Sequence, residues 1–182
     1  MPRYYIQKEL FKVVEIDDIV KYIAAANDTD FLFFFLTVYL TGLRSCDVKK
    51  LRKENFQLRK NLLTITTKVS KGGGVANMIF NIKKVPFARE LYLYVVSRND
   101  DVIFRRSVRH YRRILQRLNE KIYGNDKSKW ITFHYLRHSR ITFLARLGAT
   151  PEELKSWTGH KTSAFEEYIR TRKVLRFATK IK

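Results

Sequence analysis

The chain has 182 residues, enough for one substantial domain and too few for two comfortable ones. Its 37 Lys and Arg against 17 Asp and Glu give a formal charge of +20, while 45% of its residues are apolar, including 13 Phe and 10 Tyr. An aromatic-rich composition excludes a disordered chain, and the single cysteine, Cys46, excludes an internal disulfide and fits a reducing, intracellular setting.

An excess of positive charge on this scale repels itself unless a polyanion is the working partner. Nucleic acid is the leading candidate, because Lys and Arg neutralising phosphates supply most non-specific affinity. An anionic membrane surface and a merely solubilising charge are the alternatives.

The N-terminus, MPRYYIQKEL, has no apolar run of signal-peptide type. Residues 15–26, EIDDIVKYIAAA, place acids early and apolar residues at Ile16, Ile19, Val20 and Ile23, which predicts a helix with a dipole-compatible start. NDTD (27–30) offers N-caps for the next helix. That helix holds the run FLFFFLTVYL, ten residues long where a spanning helix needs about 20, so a buried core helix is expected. Gly42 ends it, and SCDVKKLRK (45–53) reads as a short helix capped by Ser45.

The period then changes from helix to strand. LLTITTKV (62–69) and NMIFNI (77–82) are β-type runs, and the three glycines of SKGGGVA between them predict a hairpin turn. Residues 87–97 return to helix. Residues 105–123 predict a two-faced helix, with Val108, Tyr111, Leu115, Leu118 and Ile122 as its buried stripe. Arg105, Arg109, Arg112, Arg113 and Arg117 gather opposite and suit a phosphate backbone, although such a face can be simply solvated. A helix over 134–147 ends at Gly148, and another opens with Pro151 in its first turn and ends at Gly159. The tail has Val174, Phe177 and Ile181 at helical spacing. The fold class is mainly α with a small antiparallel β-sheet.

On the 134–147 helix, His134, Arg137 and His138 share one face, with Leu136, Phe143 and Leu147 expected on the core side. Three cation-capable groups in a row repel one another unless an anion sits against them. An Arg fork flanked by imidazoles suits a phosphate, or a transition state built on one. His134 and His138 also have metal-ligand spacing, but Tyr135 stands where the helical zinc-protease pattern needs Glu, and no further ligand cluster is in view. The plainer alternative is that both histidines satisfy buried backbone groups.

Other candidates are weak singly. Arg44 follows a helix end, with Asp47 three residues on and able to brace it or the nearby backbone. Lys71 is a mobile cation at the glycine turn, in an order that is not a nucleotide-binding P-loop. His160 and Tyr168 lie eight residues apart near the end of the chain. A phenol with a pKa near 10 is a poor nucleophile until cations and a base surround it.

In chain order these residues resemble the tyrosine recombinase (integrase) family. Four motifs carry the likeness: TGLRSCDV, the hairpin VSKGGG closed by KKVPF, HYLRHSRITF, and TGHKTSAFEEY. It runs from about Glu15 to Tyr168. The resemblance implies that family's mostly helical catalytic domain with a three-stranded sheet, over residues 15–172. Residues 1–14 are then a lead-in or linker remnant, and 173–182 a tail.

It further implies that Tyr168 is the nucleophile, forming a 3′-phosphotyrosyl bond and releasing a 5′-hydroxyl. Arg44 and Arg137 would clamp the non-bridging oxygens. His134 and His160 would support proton transfer and phosphate orientation, with His138 beside them. Lys71 would protonate the leaving oxygen, and Asp47 would be structural support. No metal, ATP or other cofactor is implied.

Three details depart from the family pattern. The His160–Tyr168 spacing is one residue short, Thr158 replaces a commoner Leu, and Asp47 replaces Glu. Family members usually carry a DNA-clamping domain before the catalytic one, so this chain is either an excised catalytic domain or a minimal version, with weak, salt-sensitive DNA binding expected.

The expected function is site-specific cutting and rejoining of double-stranded DNA in the host's cytoplasm or nucleoid. A virus or mobile element is the expected source, and a chromosome-dimer resolvase is a close variant. Self-association on DNA as a dimer or tetramer through the tail is expected, with packing of the tail in cis as the alternative, and no membrane is involved. A type IB topoisomerase and a non-catalytic DNA-binding module are the rival readings.

Overall fold

Asp17 and Asp18 favour the positive end of helix α1 (Ile16–Ala25), which buries Ile19 and Tyr22, in a computed structural model that describes residues 13–159. Asp28 then caps α2 (Thr29–Thr41) by accepting from the Phe31 N–H at 3.0 Å. Eight residues spread around α2 are buried: Phe31, Phe34, Phe35, Leu36, Thr37, Val38, Leu40 and Thr41. A helix apolar on all sides belongs at the centre of a core. Among the described residues no helix is long and apolar enough to cross a membrane.

Phe34 is the hub of that core. It stacks on Tyr111 at 4.1 Å between centroids and meets Phe104 and Phe133 edge-on at 5.3 and 5.2 Å. These offset and T-shaped contacts each add about 0.5–1.5 kcal/mol beyond area burial. Three tyrosine hydroxyls at the edge of the core have partners. Asp30 accepts from Tyr94 at 2.8 Å and Tyr111 at 2.5 Å, and Asn119 accepts from the Tyr22 hydroxyl.

Gly42 ends α2 in the left-handed conformation (φ 65°). The helix that follows, α3 (Ser45–Val48), is shorter than the sequence suggests. Its cap position is Arg44, not Ser45, and no side chain caps it. The sheet has order β1-β2-β3, all antiparallel, with β1 at Phe56–Arg59, β2 at Leu62–Lys68 and β3 at Val75–Asn81. Leu63 pairs with Phe80 and Ile65 with Met78, and all four are buried on one face. The alternation in β2 and β3 is what the sequence pattern predicts; the four-residue β1 was not among the runs read as strands.

Helix α4 (Ala88–Ser97) packs beside α2, with Tyr94 stacked on Phe33 at 4.1 Å. The arginine-rich helix α5 starts at Val108, not at residue 105, because Ser107 caps it by accepting from His110 N–H at 3.2 Å. Tyr111, Leu115 and Leu118 are buried as its spacing predicts. Helix α6 (Phe133–Leu147) is capped by Thr132 and ended by Gly148. Helix α7 (Pro151–Thr158) carries a capping box between Thr150 and Glu153 and ends at Gly159 (φ 67°).

On α6 the expected core face is only partly right. Leu136 is fully buried, but Phe143 is 38% and Leu147 71% exposed. The helix is wedged between neighbours on several sides over its first half, burying Phe133, Leu136, Arg137 and Ser139, and its later buried residues, Ile141 and Ala145, pack with Leu154. A helix enclosed this way has no single apolar stripe to read.

Candidate active site

Three of the residues predicted to bind phosphate, Arg44, His134 and Arg137, come together around the C-terminus of α2. Two long side chains take its last carbonyls, which a helix end otherwise leaves without partners. Trp157 Nε1–H donates to Thr41 O at 2.8 Å, and the Arg137 guanidinium donates to Gly42 O. The chain can therefore turn sharply through Gly42 and deliver Arg44 at a fixed place. A Cβ on Gly42 would sit 3.2 Å from Arg140 Cβ and Cγ, so close approach as well as positive φ requires glycine here.

Arg44, His134 and Arg137 line one cavity of about 620 Å³, together with Cys46 and Arg112. Arg44 and His134 are 90 residues apart in sequence, so the fold itself builds this wall. Arg137 is only 5% exposed, held by the bond to Gly42. A guanidinium fixed by a carbonyl on one arm is preorganised for an anion on another.

His134 and His138 meet Nε2 to Nε2 at 2.7 Å with rings nearly perpendicular (80°). That contact needs one nitrogen to donate and the other to accept, so the two rings cannot both be protonated there. Burial, then the neighbouring His134 and Arg137, push the His138 pKa down from 6.5 to about 4. Burial thus keeps His138 neutral, and His134, the exposed one, faces the cavity. Among the described residues no three His, Cys, Asp or Glu gather as a metal site would require.

Asp47 is 1% exposed and its Oδ1 accepts from the Ser70 N–H at 2.8 Å. It thus ties the helix after Arg44 to the hairpin one residue before Lys71, and Lys50 Nζ adds a bond to Ser70 Oγ at 2.9 Å. Lys71 is exposed at the hairpin tip and is not part of the cavity wall. His160 and Tyr168 lie outside the described residues.

The arginine row divides. Arg112 reaches the cavity, and Arg109, Arg113 and Arg117 are exposed on the same helix. Arg105 precedes that helix and is ion-paired with Asp100, so it is not one of the row. Arg140 was not singled out from the sequence. It lies within a cage of Phe80, Phe143 and Trp157, at 5.8, 5.3 and 5.4 Å from their centroids, and burial pushes its pKa down to about 10. Its place three residues after Arg137 was the only signal in the sequence, and the aromatics that surround it come from three separate elements.

The fold is shared with solved recombinases. The XerH site-specific recombinase bound to its difH substrate, in a pre-cleavage complex, superposes with a TM-score of 0.67 at 17% identity, over 94% of this chain and 55% of that one. The catalytic domain of bacteriophage HP1 integrase matches with a TM-score of 0.58 at 18% identity, over 93% of this chain and 94% of that one. A lambda integrase dimer bound to a COC′ core site matches with a TM-score of 0.64 at 15% identity, over 87% and 47%. This chain thus spans about half the length of the XerH and lambda proteins. No curated protein matches its sequence. The sequence profile of the phage integrase family matches residues 10–173, and the chain belongs to that family.

Proposed function

We propose that this chain is the catalytic part of a site-specific recombinase that cuts and rejoins double-stranded DNA through a phosphotyrosyl intermediate. The observation that carries the reading is the shared cavity of Arg44, Arg137 and His134, with Arg112 at its edge. In this mechanism the Tyr168 oxygen attacks the scissile phosphorus, losing its proton to a histidine of the site, His134 or His160. The P–O5′ bond breaks as the Tyr–O–P bond forms, and Lys71 gives a proton to the departing 5′-oxygen. Arg44 and Arg137 hold the charge that grows on the non-bridging oxygens. The ester keeps the bond energy, so rejoining needs no ATP. These fixed cations supply the electrostatic stabilisation that a metal supplies in other phosphoryl transfers.

The Tn1549 transposon integrase is in complex with transposon right end DNA, and lambda integrase is a dimer bound to its core site. We extend both properties to this chain as part of the proposal: duplex DNA as substrate, and self-association on it through the tail. A virus or mobile element is the proposed source, in line with the HP1 integrase and a Tn1549 transposon integrase among the similar folds. Action on DNA places the protein in the host's cytoplasm or nucleoid.

Replacing either clamping arginine by lysine tests the reading, because lysine keeps the charge and loses the fork. Arg44→Lys and Arg137→Lys are expected to lower single-turnover cleavage by about 10²–10³-fold while leaving DNA affinity within a few-fold. Unchanged cleavage in both, with the fold intact by circular dichroism, would remove the arginines from the mechanism.

A further inference from the structure

The three glycines of the hairpin are required for two different reasons. Gly72 (φ 92°) and Gly73 (φ 62°) adopt left-handed conformations, and a Cβ on either would meet nothing within 4 Å. They serve the turn. Gly74 has no positive φ. A Cβ there would fall well inside van der Waals contact of the Gly159 carbonyl oxygen and 3.0 Å from its carbonyl carbon. Gly159 is constrained in return: a Cβ on it would lie 3.0 Å from Ala76 N and from both γ-carbons of Val69. Two glycines thus let the hairpin and the end of α7 meet backbone to backbone.

This contact has a counterpart on the other shoulder of the tip. Asp47 holds the Ser70 N–H at 2.8 Å, and the Val69 N–H donates to Gly74 O at 2.9 Å, joining the two shoulders. Residues 71–73 therefore span two fixed points. One is anchored on the helix that follows Arg44, the other on Gly159, the residue before His160.

We propose that Gly74 is a positioning residue: its backbone contact with Gly159 holds the hairpin tip so that Lys71 meets the leaving oxygen in register with the arginine clamp. The inference rests on the proposed role of Lys71 as proton donor. A rigid tip matters because a misplacement of about 1 Å in a reacting group can cost about 10²-fold in rate. An added methyl at position 74 must push the tip away from Gly159, since neither backbone can yield as a flexible side chain does.

Two measurements test it. The first is amide hydrogen exchange on the full chain, which needs no substrate and decides by itself. In the unmodified protein the Val69 and Ser70 amides are expected to be protected. In Gly74→Ala they are expected to exchange at least tenfold faster, with the β1–β2 amides unchanged. Gly73→Asn, which tolerates positive φ, should leave the Val69 and Ser70 amides protected. Tip amides that exchange freely in the unmodified protein, or equally slowly in Gly74→Ala, overturn the proposal. Free exchange of the tip amides in the unmodified protein overturns the proposal even if Gly74→Ala does not fold.

The second measurement uses a pool of nicked duplexes, randomised around the nick, with either oxygen or sulfur bridging to the 5′-carbon at the scissile position. Sulfur leaves as a thiolate and takes its proton later from solvent, so it needs no acid in the transition state. Gly74→Ala should slow cleavage of the oxygen-bridged pool and recover on the sulfur-bridged one, as Lys71→Ala should. Recovery of Lys71→Ala without recovery of Gly74→Ala would defeat the positioning role. Failure of Lys71→Ala to recover would instead defeat the donor role on which it rests.

Discussion

The His134–His138 contact makes the site sensitive to acid. His138 has its pKa held near 4 in the folded chain against 6.5 for a free imidazole, chiefly by burial and then by His134 and Arg137. Between those values the unfolded chain binds the extra proton, so stability rises with pH across that interval. The contribution is complete above about pH 6.5 and is lost as pH falls towards 4. Urea midpoints at pH 7.5, 6 and 5 should therefore fall with pH, and His138→Gln should flatten the part of that fall due to this residue. A mutant as steep as the parent would assign the acid sensitivity elsewhere. The sequence placed both rings on one helical face. It could not say that His138 would be held neutral, because that depends on how deeply the ring is buried by residues distant in the chain.

At the scale of elements, the end of α2 is the device that positions the site. Trp157 of α7 and Arg137 of α6 both bond carbonyls of that end, so three helices converge on the turn that carries Arg44. Trp157→Phe keeps most of the packing against Phe80 and leaves the Thr41 carbonyl without its donor. Its expected cost is about 1–3 kcal/mol, the penalty of a buried group left unsatisfied, with a larger loss in cleavage than this small destabilisation explains. Chemical denaturation and single-turnover cleavage on one preparation check both. In the core, Phe34→Ala should cost about 3–5 kcal/mol, read from the denaturation midpoint, because Phe34 touches Tyr111, Phe104 and Phe133 at once.

Elements with one clean stripe were legible in the sequence. The Asp28 cap, the Gly42 stop, the Pro151 start and the buried row of α5 all follow from local chemistry. What was not legible depends on partners. Phe143 and Leu147 look like core residues and are exposed, because α6 is enclosed by neighbours on more than one side. Strand β1 is too short to show a period, and it exists because β2 supplies its ladder. Ser45 has the chemistry of a cap, yet the chain enters that helix one residue earlier.

Over the whole molecule, the charge of +20 announces a polyanion, and the exposed Arg109, Arg113 and Arg117 flank the cavity-lining Arg112 along one helix. If this row follows the DNA backbone, Arg113→Ala should lower the slope of log affinity against log salt by about 1. Arg105→Ala should change it less, since Arg105 is paired with Asp100. Equal effects would mean that the row does not track phosphates. The order of four motifs along the chain was enough to suggest the family and the fold. The convergence of Arg44 and His134 on one cavity was expected from the family resemblance alone, because local pattern does not show how α2, α5 and α6 pack.

The proposed reaction is covalent tyrosine chemistry without metal. It is tested most directly by incubating a nicked duplex pool with the chain and with Tyr168→Phe in EDTA, then denaturing and looking for protein that stays joined to DNA. The parent chain is expected to give a denaturation-resistant adduct, and Tyr168→Phe none. An adduct that survives the substitution would contradict that expectation and move the nucleophile to another residue.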